Sequence, residues 1–127
     1  MHSMDLDDFG SLQLRVLEML WERGQASAGE LWDEWPDRPE PAYTTVLSAL
    51  QKLHRRKLAQ RRKRGRAHVY APRIDRETFR RKYVSEVRRK VFGGSSAALA
   101  VALLGGEEVS DGEFQEIRKL LQERRKR

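Results

Sequence analysis

Apolar positions along the chain change period in a fixed order. Leu14, Leu17, Leu20 and Trp21 share one helical face, with Ser11 placed to cap the helix and Gly24 to end it near Arg23. Trp21 lies on that stripe and is expected as a core anchor rather than a ligand-stacking residue. Residues 1–9 before it read as a loose lead-in. Ser27-Ala28-Gly29-Glu30 is a capping box, so a second helix begins there, carries Leu31 and Trp35, and stops before Pro36. Three prolines within residues 36–41 exclude helix from that connection. Helical spacing resumes with Val46, Leu47, Leu50 and Leu53, then gives way after Leu58 to two short runs, 58–62 and 67–70. Residues 63–66 lie between the runs, and Gly65 suits the positive φ of a tight hairpin turn. Pro72 closes the second strand.

Beyond Asp75, a helix cap, Phe79, Tyr83, Val87 and Val91 recur at four-residue steps over 76–92. Gly93 and Gly94 break that helix, and Ser95 or Ser96 opens a short one, AALAVALL, apolar all round and expected to be buried on every side. Gly105 and Gly106 end it. Ser110-Asp111-Gly112-Glu113 is a second capping box, opening a last helix whose Arg124–Arg127 end complements the helix dipole. The 54 residues from 74 to 127 are too few to cover an all-apolar helix alone. A two-fold dimer solves this, with Phe79, Tyr83, Val87, Val91, Leu99, Val101, Leu103, Leu104, Phe114, Ile117 and Leu121 expected at its interface. The expected division is 1–73 for the first domain and 74–127 for the second.

Charge sharpens the reading of the middle segment. Residues 51–66 hold nine basic side chains and no acidic one, whereas the whole 127-residue chain nets +7, so the rest nets −2. A solvated face mixes signs; a helix followed by a basic hairpin suits duplex DNA, with the helix in the major groove and the hairpin on flanking phosphates. The start of that helix turns Ala42, Tyr43, Thr44, Thr45 and Ser48 outward toward base edges. For Tyr43, inward packing or a phosphate bond are equally open. Lys52, Arg55, Arg56, Arg61, Arg62, Lys63, Arg64 and Arg66 are assigned to phosphates, or a tip arginine to the minor groove.

The words YTTVLSALQKL and RGRAHVYAP, together with LQLRVLEMLWERG and SDGEFQEIRKLL, resemble the penicillinase-repressor (BlaI/MecI) family over nearly the whole chain. The resemblance implies a mainly α fold with a small β-hairpin wing: a winged helix-turn-helix DNA-binding domain followed by an α-helical dimerisation domain. It implies a homodimeric, DNA-binding transcriptional repressor on an inverted-repeat operator, controlling β-lactamase, antibiotic-resistance or related stress genes. It also implies release through a sensor-linked protease that cuts the dimerisation domain. Two departures stand out. Lys57 occupies the place where the family commonly has glycine before the first wing strand, so it must take the bend itself or the bend lies elsewhere. The family's scissile Asn-Phe pair aligns with Ala102 and Leu103, which implies a protease of different specificity.

The remaining chemistry narrows the classes. There is no cysteine, and His2, His54 and His68 lack ligand spacing, so neither metal nor other cofactor is expected. No nucleophile–base pair or phosphate loop supports an enzyme. An acidic start and an apolar run of only eight residues, 97–104, point to a cytoplasmic protein without membrane insertion. The alternative function is a basic structural RNA- or ribosome-associated protein. It is disfavoured because residues 51–66 contain no aromatic side chain on which a base would stack.

Overall fold

The computed structural model describes residues 9–106 and 108–126. The expected lead-in, Phe9 apart, and Arg127 lie outside the described residues. The chain forms two compact units, the first ending at Glu86 and the second beginning at Val87. The boundary therefore falls inside a helix rather than at residue 73, for a reason given by the aromatic packing below.

In the first unit, helix α1 (Ser11–Arg23) ends on Gly24, whose φ of 87° lets its amide return to the Leu20 carbonyl at 2.7 Å. Its N-cap is Gly10 rather than Ser11, because the first helical bond already runs from the Leu14 amide to the Gly10 carbonyl. Strand β1 (Ala26–Ser27) follows, a two-residue element that no periodicity announces. Helix α2 (Ala28–Asp33) opens on the expected box, with the Ser27 hydroxyl accepting from the Glu30 amide at 3.1 Å and Glu30 accepting from the Ser27 amide at 3.0 Å. It ends at Asp33, so Trp35 lies beyond it yet is buried, with the Arg15 guanidinium 4.9 Å from its ring. Helix α3 (Tyr43–Arg55) leads into β2 (Ala59–Arg64) and β3 (Ala67–Pro72). The antiparallel sheet has the order β1-β3-β2.

Val16, Leu17 and Leu20 from α1, Leu31 from α2, Val46, Leu50 and Leu53 from α3 and Tyr70 from β3 are all fully buried together. Each such side chain stabilises the fold by about 1.5–3 kcal/mol relative to exposure. The arrangement is mainly helical with a three-strand sheet, as the hydrophobic periods require.

Helix α4 (Arg76–Val91) begins in the first unit. Phe79 and Tyr83, expected at a subunit interface, instead belong to this unit's own packing. Phe79 is 3% exposed, and its ring packs at a tilt against Phe9 (5.3 Å) and Tyr83 (5.7 Å) and edge-on against Trp21 (5.6 Å). The Trp21 indole also donates to the Ile74 carbonyl at 2.8 Å. Phe9, at the end of the expected lead-in, is not loose: it completes the cluster and draws the first turns of α4 onto α1.

The second unit holds α5 (Ser96–Leu104) and α6 (Asp111–Arg125). Ser95 caps α5 by accepting from the Ala98 amide at 3.0 Å, and Ser110 with Glu113 forms the expected capping box of α6. Among the described residues, no apolar side chain after Phe79 is fully buried, and Phe92, Leu99, Leu104 and Ile117 are half-buried. Val101 is 72% exposed, Leu103 60% and Leu121 62%, so the all-apolar helix, expected to be buried on every side, is left largely open within one chain. Among the described residues no helix is long and apolar enough to cross a membrane.

Candidate nucleic-acid interface

Helix α3 has a marked two-sided character. Val46, Ala49, Leu50 and Leu53 are buried, while Ala42, Tyr43, Thr44, Thr45 and Lys52 are exposed and Ser48 is half-buried. A groove of about 310 Å³ runs between the start of α1 and this face, lined by Gly10, Leu12, Gln13, Thr44, Thr45, Ser48, Ala49 and Lys52. Tyr43 does not pack inward. It is 42% exposed, and its ring leans edge-on against Trp32 at 6.3 Å. Trp32 in turn donates from its indole to the Pro41 carbonyl at 3.0 Å and carries the Arg38 guanidinium over its ring at 4.9 Å. Trp32 thus fastens the proline-rich connection immediately before α3, a role that leaves no signature in the sequence.

At the other end of α3 the chain turns directly into the wing. Lys57 adopts φ 62°, the left-handed conformation that glycine would take without strain. The Lys57 amide bonds to the His54 carbonyl at 3.0 Å and the Leu58 amide to the Leu53 carbonyl at 2.9 Å, the paired bonds of a Schellman motif. Leu53 and Leu58 are both buried beside it, so side-chain packing holds the bend. The lysine therefore takes the bend itself.

The hairpin is longer and tighter than expected. Its strands run to Arg64 and from Ala67, leaving Gly65 and Arg66 as a two-residue turn with φ 65° at Gly65. The register pairs Arg61 with Tyr70, Arg62 with Val69, Lys63 with His68 and Arg64 with Ala67.

The basic side chains have different surroundings. The Arg61 guanidinium reaches the Tyr70 hydroxyl at 3.5 Å, Arg62 donates to the Gln25 side chain at 3.3 Å, and Arg64 pairs with Glu30 at 3.3 Å. Arg55 is exposed, and Arg56 is half-buried with its guanidinium 5.7 Å from the Phe9 ring. Lys63 and Arg66 are exposed toward the tip. Burial, reinforced by the charges of Arg61, His68 and Arg73, lowers the His54 imidazole below its ordinary value.

Glu30 carries more than its helix cap. One carboxylate oxygen takes Arg64 and the other takes Arg23 at 3.2 Å, while Arg23 also reaches Glu34 at 2.6 Å. The hydrogen bond from the Ser27 amide, with help from the Ser27 hydroxyl, Arg23 and Arg64, holds the Glu30 carboxyl below the usual carboxylate range despite some desolvation. Gln25 and Glu30 cannot be recognised as wing partners from sequence, because the hairpin register is needed to bring them there. Among the described residues no group of acidic and histidine side chains is placed to hold a metal ion.

The fold and the sequence both have known relatives. The solution structure of the DNA-binding domain of the repressor BlaI has a similar fold, with a TM-score of 0.50 at 22% identity over 58% of this chain and 90% of that one. The penicillinase repressor of Staphylococcus aureus is 23% identical over 106 residues, 84% of each chain. The transcriptional regulator BlaI of Mycobacterium tuberculosis is 34% identical over 68 residues, covering 53% of this chain and 49% of that one. The family model described as penicillinase repressor matches residues 9–123, spanning α1 through most of α6. The chain is accordingly a member of the penicillinase repressor family.

Proposed function

We propose that the protein is a transcriptional repressor that binds an inverted-repeat operator as a homodimer. The observation that carries this reading is the exposed first half of α3 beside a hairpin rich in cations, in a stretch, residues 51–66, that contains no acidic residue. Ala42, Tyr43, Thr44, Thr45 and Ser48 read base edges, where Thr hydroxyls hydrogen-bond and Thr methyls pack on thymine. Cations at the end of α3 and on the wing neutralise phosphates. A gel shift comparing an inverted-repeat duplex, random duplex and structured RNA tests it: preference for the repeat supports the reading, and equal or tighter RNA binding defeats it.

The second unit supplies the dimer contact through Val87, Val91, Leu99, Val101, Leu103, Leu104, Phe114, Ile117 and Leu121, several of them largely exposed in one chain. Two linked half-sites gain affinity through effective concentration, so opening this contact releases DNA. Proteolysis within residues 93–106, at or near Ala102 and Leu103, is the release route, and the genes controlled are of the β-lactamase and antibiotic-resistance kind or related stress genes. Mass spectrometry of the protein from induced cells checks this: derepression with every copy full-length rules the route out.

A further inference from the structure

Successive residues of a strand point to opposite faces, and residues directly opposite across a ladder share a face. The register therefore sorts the four cations of β2 into two pairs. Arg61 and Lys63 lie opposite Tyr70 and His68 and share their face. That face is the one turned toward α3: Tyr70 belongs to the same core cluster as Leu50 and Leu53 of α3, whereas Val69 on the opposite face, although buried, lies outside that cluster. Arg61 reaches the Tyr70 hydroxyl, and its charge acts on His54 of α3. Arg62 and Arg64 lie on the other face, where Arg62 meets Gln25 and Arg64 meets Glu30, beside the capped start of α2.

The tip of the hairpin has little else to hold it. Strand β1 pairs only with Val69 and Tyr70, so beyond that point the wing is a two-stranded ribbon, marginal by itself. We infer that the wing's cations divide by face: Arg61 and Lys63 contact the DNA backbone alongside α3, whereas Arg62 and Arg64 fasten the wing to Gln25 and Glu30, making Glu30 a positioning residue for DNA binding. This rests on the DNA-binding reading above and assigns different work to side chains of identical charge.

The test measures the salt dependence of full-chain binding to a random-sequence duplex, because a phosphate contact contributes about 0.9 to the log–log slope and a tether contributes none. The double variant Arg61→Gln with Lys63→Gln is expected to reduce the slope by about 1.8 per wing. Arg62→Gln with Arg64→Gln is expected to leave the slope unchanged and to weaken binding by only about two- to fivefold for each exposed tether removed. Glu30→Gln keeps the capping box, since glutamine serves at that position, and is expected to weaken binding as Arg64→Gln does, with the double variant no weaker than either. The four wing side chains are exposed and Glu30 is half-buried with its cap retained by glutamine, so the fold is expected to survive every substitution, and circular dichroism verifies it. An equal slope reduction from both arginine pairs overturns the division, as does no reduction from Arg61 and Lys63. Tighter binding by Glu30→Gln also overturns it, because Glu30 would then only compete with phosphate for Arg64. If the unmodified chain binds no duplex, the DNA-binding reading itself fails.

Discussion

The first unit buries Val16, Leu17, Leu20, Leu31, Val46, Leu50 and Leu53 completely, while the second, similarly helical, leaves Val101, Leu103, Leu120 and Leu121 at 60% exposure or more. Both contain capped helices of ordinary length, so the difference is not one of secondary structure. It lies in whether helices from one chain meet on their apolar sides. In the first unit α1, α2, α3 and the sheet do so, and Phe9 adds the start of α4. In the second, α5 is apolar all round and a single chain covers it only in part, leaving Leu99 and Leu104 half-buried and Val101 and Leu103 exposed. A unit with its own core can fold independently of protein concentration, whereas in the proposed dimer the stability of the second unit depends on assembly.

Breaking the second unit should have the largest effect. Leu103→Asp places a charge where the proposed dimer excludes water, and the dissociation constant should rise at least a hundredfold, on the order of 3 kcal/mol. Sedimentation should show monomers whose first unit still melts cooperatively; a dimer of undiminished affinity would move the interface elsewhere. Leu50→Ala strikes the other side of the comparison. Removing a fully buried leucine should destabilise the first unit by about 2–5 kcal/mol, and urea titration should show that decrease unchanged across protein concentrations. Changing Thr44 and Thr45 to Ala should leave both units folded and erode the operator-to-random affinity ratio by about 1–3 kcal/mol for each base contact removed, with little change in salt slope.

Two smaller effects sharpen the picture of the first unit. Lys57→Gly relieves a left-handed residue, at about 1–2 kcal/mol, but adds glycine's unfolded-state entropy, so a net stabilisation under about 1 kcal/mol is expected by thermal melting. Glu30 titrates below its ordinary value of 4.5 in the folded chain. Its ion pairs and cap bonds therefore contribute in full above that value, and the contribution fades as pH falls through the lowered folded-state pKa. Because the side chain is 39% exposed, the effect should stay below about 1 kcal/mol. Glu30→Gln should flatten this part of the acid limb in a pH-dependent stability series.

Much of this is legible in the residues alone, and what is not has physical causes. Capping boxes announce α2 and α6 because Ser and Glu three apart satisfy each other locally, without tertiary help. Gly65 marks the wing turn because glycine takes a positive φ freely, whereas the bend at Lys57 is suggested only by the family's glycine at that place, since lysine itself carries no such signal. Strand β1 is illegible because two residues display no period. The packing of Phe9 on Phe79 is equally hidden, because a lone aromatic ahead of a helix says nothing about which distant ring it will meet. The two faces of β2 are hidden for a different reason. With Arg or Lys at every position from 61 to 64, the usual alternation of polar and apolar residues is erased, and only the ladder register restores it.

The Schellman turn at Lys57 has a bearing on how such a protein diversifies. Helix α3 and strand β2 are joined without slack: His54 and Leu53 receive the very amides that start the wing, and Leu58 is already buried. An inserted or deleted residue there would break both bonds and rotate the hairpin off its register. Lineages that acquire new binding sites must therefore do so by exchanging side chains on a fixed frame, and length variation in this stretch should be rare among functional descendants. Comparing the spacing between the α3 leucines and the wing glycine across a mutational library selected for new sites would show that spacing held constant while Thr44, Thr45 and Ser48 vary.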